Sequence, residues 1–210
     1  MEPAERRKHW EYVYEERAPE QVSWHQDTPD SSLALIEHAG VGTDAAILDV
    51  GGGASRLVDH LLDRGYTNVA VLDVSDQALR YARERLGDRA EDVAWIRADI
   101  TDAAFEGRYD VWHDRAVFHF LTEPKERARY REVLGRAVPV GGHAIVATFA
   151  LDGPERCSGL PVVRYAPEQL RDELSGDALA LELVETWDED HHTPAGKVQR
   201  FVFCRFRRTG

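Results

Sequence analysis

Ile47-Leu48-Asp49-Val50-Gly51-Gly52-Gly53-Ala54-Ser55 sets the architecture of the chain. An apolar run breaks into three consecutive glycines, and an amphipathic segment starts at Ser55. In that order the residues spell a buried strand, a tight turn and a helix N-terminus. Without a Cβ, the backbone of Gly51, Gly52 and Gly53 can turn sharply and lie against a ligand. The helix that follows presents unpaired N–H groups in its first turn. Taken alone, the stretch fits a nucleotide-type cofactor site and a plain glycine-rich loop equally well.

Upstream, residues 5–17 carry Trp10, Val13 and Tyr14 at helical spacing, with Pro19 just beyond. A second helix starts at Asp30 or Ser31 and closes at Gly40. Downstream, strands and helices alternate. Ser55 is a possible N-cap for a helix with Leu57, Val58, Leu61 and Leu62 inward, ending at Gly65. A strand over Val69–Asp73 leads to a helix capped by Ser75 and closed by Gly87. Strands follow at Val93–Arg97 and 109–113, then a helix over 122–137 with Pro124 in its first turn, where proline is tolerated. Pro139-Val140-Gly141-Gly142 is a turn before a strand over 143–150. This alternation implies an α/β fold, a doubly wound and mostly parallel sheet covered on both faces. The strand-like runs 179–187 and 197–206 are close enough to form a C-terminal antiparallel hairpin. The expected organisation is residues 1–45 as an N-terminal helical part of the same domain as 46–210.

A chain of 210 residues suffices for one domain with a substantial core. Its net charge of −12 repels phosphate backbones, so nucleic acid is not an expected partner. Arg205, Arg207 and Arg208 read as a local basic patch or as solvated charges near the C-terminus. Cys157 and Cys204 make neither a disulfide framework nor a zinc set, and the adjacent His191-His192 lack partners, so no metal is expected. Residues 1–8 are charged and no apolar run is long enough to span a bilayer, which points to a soluble, cytoplasmic protein without membrane contact. The oligomeric state is left open.

In open α/β sheets, ligands bind beyond the carboxyl ends of the strands. Four features fall there: the glycine turn, Asp73 with Val74, Asp99-Ile100 and Asp114-Arg115. Asp73 stands roughly 20 residues past the glycines, where a carboxylate can accept hydrogen bonds from both ribose hydroxyls. Asp99 and Ile100 suit an adenine, the carboxylate taking the exocyclic amine and the aliphatic chain packing on the ring. Each also has an ordinary reading. Asp73 can cap the helix at Ser75, Asp99 can be a turn aspartate before Thr101, and Asp114-Arg115 can be a surface ion pair. Their joint placement at strand ends carries more weight than any one of them.

These residues resemble the class I S-adenosylmethionine-dependent methyltransferases. Asp49-Val50-Gly51-Gly52-Gly53 looks like their first motif, Asp73 matches the acidic end of their second strand, and Asp99-Ile100 matches their adenine-contacting pair. Val138-Pro139-Val140-Gly141-Gly142 is similar to the Pro-Gly-Gly turn before their fifth strand. The resemblance spans roughly residues 46–206 and implies a Rossmann-like methyltransferase fold with a seven-stranded sheet. Arg56 stands at the third glycine of a dinucleotide fingerprint, which weakens an NAD reading. Trp10, Tyr14 and Trp24 look like the aromatic lid of a subgroup that includes lysine methyltransferases of elongation factor 1A and enzymes related to thiopurine methyltransferases. Aromatic faces attract a sulfonium cation, and the same rings can equally serve as core anchors. In that subgroup an acidic-basic pair after strand four faces the methionine part of the cofactor. Here it falls on Asp114-Arg115, with arginine in place of the usual lysine.

The resemblance implies S-adenosyl-L-methionine as cofactor, held by Trp10, Tyr14, Trp24, Asp49, Gly51, Gly52, Gly53, Asp73, Val74, Asp99, Ile100, Asp114 and Arg115. His119, near the expected transfer site, is the first candidate base and His25 the second. A histidine between Phe118 and Phe120 is also a common packing residue. Residues 152–165, with Cys157, Leu160, Pro161 and Val162, are more apolar than acidic and are expected to border the acceptor pocket. The expected function is methyl transfer to a small molecule. Protein-lysine methylation is the alternative, and a noncatalytic or NAD-binding module is a third reading.

Overall fold

The computed structural model describes every residue except Glu106, Asp177 and Ala178. Helices α1 (Pro3–Glu16) and α2 (Asp30–His38) precede β1 (Ile47–Val50). The alternation then runs α3 (Leu57–Asp63), β2 (Val69–Asp73), α4 (Asp76–Leu86), β3 (Val93–Arg97), β4 (Val111–Arg115), α5 (Pro124–Ala137) and β5 (His143–Phe149). A short ribbon of β6 (Arg156–Cys157) and β7 (Leu160–Pro161), α6 (Pro167–Leu174), and the long strands β8 (Leu181–His192) and β9 (Val198–Arg208) complete the chain.

The main sheet has seven strands in the order β3-β2-β1-β4-β5-β9-β8. The strands from β1 to β5 are parallel, and β9 and β8 close the sheet antiparallel. The sheet and its closing hairpin match the sequence expectation. Strand order reverses between β1 and β4, so the switch point lies directly over the glycine turn.

Residue alternation splits the core into two layers. Leu48, Val50, Leu72, Trp112 and Val146 pack on one face with Tyr130 and Leu134 of α5 and Leu170 of α6. Ile47, Val71, Val111 and Ile145 pack on the other with Ile36 of α2, Leu61 of α3 and Leu79 of α4. Both faces are covered, as a parallel sheet requires. The N-cap of α4 is the expected Ser75, whose Oγ accepts the Ala78 N–H at 3.1 Å. At the start of α5 the Glu123 N–H donates to Glu126 Oε2 at 3.1 Å, with Pro124 in the first turn. The edge strand β8 alternates exposed with half-buried residues, and Glu182, Asp188 and Asp190 on its exposed face discourage pairing with a further strand.

Several boundaries differ from the sequence reading. β4 covers residues 111–115, not 109–113, because Asp110 is used in a turn where its carboxylate accepts the Ala46 N–H. Asp114 and Arg115 are therefore the last residues of the strand. Helix α3 is preceded by Arg56, and Ser55 instead accepts the Leu57 N–H through Oγ. His191 and His192 belong to β8 rather than to a loop. The β6–β7 ribbon and α6 lie where no element was expected. The ribbon turns at Ser158 and Gly159, both with positive φ, as tight hairpins prefer. No helix among the described residues is long and apolar enough to cross a membrane.

Candidate active site

A cleft enclosing about 780 Å³ of space, part of it open to solvent, lies over the carboxyl ends of the parallel strands. Gly51, Asp73, Val74, Asp99, Ile100 and Arg115, all singled out from the sequence, line it together with Trp10, Tyr14 and Trp24. A second cavity of about 550 Å³ lies on the other side of the glycine turn, and Asp49 and Gly52 line that one. Gly53, Asp114 and His119 line neither cavity.

The glycine turn is shaped by its neighbours. Gly51 has φ +68° and lies so close to the Val117 side chain that a Cβ would overlap it. A Cβ on Gly53 would come within 2.5 Å of Asp73 Oδ2. The missing side chain thus keeps that oxygen approachable. Asp73 Oδ1 accepts the Ser75 N–H at 2.8 Å, so the helix-capping reading and the ligand reading describe two oxygens of one carboxylate. Burial pushes the Asp73 carboxyl up to about 7, with Asp49 and Glu11 adding repulsion, against the lowering effect of the backbone N–H groups.

Asp49 points away from the main cavity. Its Oδ1 is 2.8 Å from His113 Nδ1, and His113 Nε2 is 2.9 Å from Ser32 Oγ. All three are buried, and the chain ties α2 to β1 and β4 under the glycine turn. Asp114 is likewise turned into the core. It accepts the Tyr130 hydroxyl at 2.6 Å and the N–H groups of Val117 and Phe118, fixing the loop after β4. Burial raises its carboxyl to about 6 despite these donors. Its part in the site is to shape that loop, which includes Ala116 at φ +70° on the cavity wall.

Asp99 is more heavily engaged than the sequence suggested. Its Oδ1 accepts the Thr101 N–H and hydroxyl at 2.9 and 2.7 Å. Its Oδ2 takes Arg6 Nη1 at 2.5 Å, and Arg6 Nη2 reaches Glu126 Oε1 at 2.5 Å. Arg6, 5% exposed, thus pins α1 across the cavity and forms part of its wall. The turn reading of Asp99 holds through Thr101, and an adenine amine would have to share or displace Arg6.

The N-terminal aromatics both pack together and face the cavity. Trp10 meets Trp24 and Phe120 edge-on at 5.5 and 5.0 Å, and Trp24 Nε1 donates to Tyr14 Oη at 3.2 Å. The far end of the cavity, over β4, β5 and β9, is made by Arg115, Phe120, Cys157, Gln199 and Phe201. The Arg115 guanidinium stacks over the Phe201 ring at 4.5 Å. Burial raises the Cys157 thiol to about 11, so it stays protonated.

His119 is off the wall of both cavities, away from where the expected role would need it. It is wholly buried, packed edge-on against Phe120 at 4.5 Å and tilted against Phe149 at 4.8 Å. Desolvation first, and Arg115 second, lower its pKa to about 3. It is neutral near pH 7 and is walled off from the cavity by its own neighbours. His25 lines only the second cavity. Arg6 and Gln199 were not singled out from the sequence, because a buried cation on a charged helix and a buried amide in a strand leave no local pattern.

Among the described residues no group of side chains suited to a metal ion is present. Residues 47–142 match the family model for a methyltransferase domain. An elongation factor 1A lysine and N-terminal methyltransferase of Danio rerio is 27% identical over 146 residues, which cover 68% of this chain and 21% of that protein. The matched stretch is thus about a fifth of that relative's length. A solved structure from work on the conversion of a disulfide bond into a thioacetal group during echinomycin biosynthesis superposes with a TM-score of 0.76 at 21% identity, covering 96% of this chain and 92% of that one. The 1,6-didemethyltoxoflavin-N1-methyltransferase of Burkholderia thailandensis, solved with its substrate and S-adenosylhomocysteine, gives a TM-score of 0.70 at 18% identity, covering 100% and 92%.

Proposed function

We propose, from the premise that this chain belongs to the class I S-adenosylmethionine-dependent methyltransferase family, that it binds S-adenosylmethionine over β1 and β2 and methylates a small molecule seated over β4, β5 and β9. The observation that carries this reading is the division of side chains along the cavity. Asp73, with Asp99 and its partner Arg6, lines one end, whereas Arg115, Cys157, Gln199 and Phe201 line the other, without a carboxylate among the described residues. The fit of the cofactor rests on Asp73 Oδ2, left approachable by Gly53, which suits a ribose hydroxyl. Val74 and Ile100 offer apolar contact for a purine. When bound, S-adenosylmethionine supplies an electrophilic methyl group on a sulfonium, taken by the acceptor's lone pair as the carbon–sulfur bond breaks and its electron pair stays on sulfur.

The chain's own contribution is binding and alignment, which can supply roughly 7–11 kcal/mol of such a barrier. Trp10, Tyr14 and Trp24 form an N-terminal lid that excludes water and offers aromatic faces to a cation. With His119 walled off, the cavity presents no histidine base, which favours an acceptor whose lone pair is already available at neutral pH. Protein-lysine methylation is the second reading, supported by the named activity of the Danio rerio relative. Against it, a lysine ammonium seated at this end would approach Arg115, and the carboxylates on the cavity wall among the described residues, Asp73 and Asp99, stand at the other end.

Incubation with methyl-labelled S-adenosylmethionine separates the readings. Label transferred to low-molecular-mass compounds of a cell extract is the expected result. Label confined to protein bands would replace the first reading by the second, and binding without any turnover would leave a noncatalytic module.

A further inference from the structure

At the far end of the cavity Arg115 Nε and Gln199 Oε1 have no hydrogen-bond partner in the protein. Arg115, its side chain one-tenth exposed, donates from Nη1 to the Trp24 carbonyl oxygen at 3.1 Å. Its Nη2 lies 3.5 Å from Glu189 Oε1 without forming a hydrogen bond, and its Nε has no partner. Gln199, 9% exposed, has an unpartnered Oε1. Both residues line the main cavity. Such atoms are costly to leave unmade, and a ligand that satisfies them gains accordingly.

Their position across the switch point from Asp73 and Asp99 points to the acceptor, in place of the methionine part of the cofactor that the resemblance implied for Arg115, which also borders the second cavity beside Gly51. β9 runs antiparallel to β5, with Phe201 opposite Phe149, so the start of β9 stands beside the carboxyl end of β5. Asp73 and Asp99 are at the ends of β2 and β3, on the opposite side of the switch point. Flat apolar walls flank the polar pair, from Phe120, Phe201 and Trp10. The charged neighbours leave room for an anion or a carbonyl but not for a cation. Arg115 is partly balanced by Glu189, and burial lowers the pKa of His191, two residues beyond Glu189 on β8.

We infer that the acceptor is a flat molecule carrying a carboxylate or carbonyl oxygen, which takes the Arg115 Nε–H, beside an N–H or O–H group that donates to Gln199 Oε1. This rests on the methyltransferase reading and narrows its substrate class. The neighbouring N–H or O–H heteroatom is then held by its proton to Gln199, which orients its lone pair. Arg115 and Gln199 act here by binding the acceptor, and a change at either is read in acceptor affinity.

The test uses 2-aminobenzoate, benzoate and benzylamine as probes, titrated by calorimetry into the full chain saturated with S-adenosylhomocysteine. Expected is 2-aminobenzoate tightest, benzoate weaker and benzylamine weakest. Arg115→Gln should weaken both acids by at least about tenfold. Gln199→Leu, which leaves the cation in place, should abolish the advantage of 2-aminobenzoate over benzoate. Benzylamine binding as tightly as the acids, acid affinities unchanged in both variants, or no detectable binding of any probe would overturn the inference. Titrations of S-adenosylhomocysteine and of 5′-methylthioadenosine, which lacks the amino-acid tail, separate the sources of the carboxylate. If Arg115→Gln weakens only S-adenosylhomocysteine, Arg115 serves the cofactor and the inference fails while the methyltransferase reading stands. If neither nucleoside binds the unaltered chain, the methyltransferase reading fails first, and the inference with it.

Discussion

Cofactor binding should be coupled to a proton at Asp73. In the free protein, burial raises this carboxyl from 3.8 to about 7. For an acid raised in this way, the folded state holds its proton more tightly than the unfolded chain between about pH 4 and 7. Stability is therefore lost as pH climbs through that window, by at most roughly 4 kcal/mol from this group. A ribose that donates two hydroxyl hydrogens needs the ionised carboxylate. At pH 6 about a tenth of the free protein is in that form, and at pH 8 about nine-tenths, so affinity should rise about tenfold across the interval. Calorimetry with S-adenosylhomocysteine in buffers of different ionisation heat should find close to one proton released per ligand bound at pH 6, and almost none at pH 8. Asp49, Glu11 and Tyr14 also face this region, so Asp73→Asn is the control. That variant should bind about ten- to a hundredfold more weakly and lose the pH dependence. An affinity independent of pH in the unaltered protein, or the same dependence surviving in Asp73→Asn, would refute the reasoning.

Three further perturbations follow from the geometry. Arg6→Ala strands Asp99 and Glu126 as buried acids and should lower unfolding stability by about 3–5 kcal/mol in urea titrations; a loss within experimental scatter would mean the ion pairs do not hold α1. Gly51→Ala forces a side chain into positive φ and against Val117, and should cost about 1–3 kcal/mol of stability together with a loss of nucleoside binding. His119→Phe should leave turnover nearly unchanged once an acceptor is known, because a working general base is worth about 100- to 10,000-fold; a drop of that size, with the folded state intact, would restore His119 as the base.

How far the sequence could be read depended on how local each cause was. The glycine turn was legible because Gly51 and Gly53 answer to backbone sterics and to Asp73, which lies at the end of the very next strand. The strand order follows from alternation, and the closing hairpin from two long β-rich runs. The β4 boundary slipped by two residues because Tyr109 and Asp110 continue the strand-like composition while Asp110 is spent on a turn. Arg6 was invisible because its partners lie 93 and 120 residues away, and nothing in α1 distinguishes it from the exposed arginine beside it. The burial of His119 was illegible for the same reason. Its burial is set by Phe149 of β5, 30 residues on, as well as by the adjacent Phe120. Gln199 faces the cavity only through the register of β9 against β5 and β8, which no window of sequence reveals.

The central claim is that the cavity over β1 and β2 takes a sulfur-linked adenosine rather than a dinucleotide. Side-by-side calorimetric titrations of the full chain with S-adenosylhomocysteine and with NAD test it most directly. Saturable binding of S-adenosylhomocysteine at one site per chain, abolished or strongly weakened by Asp73→Ala in a folded protein, with no comparable binding of NAD, is the expected result. Tighter binding of NAD, or S-adenosylhomocysteine affinity unaffected by Asp73→Ala, would contradict it.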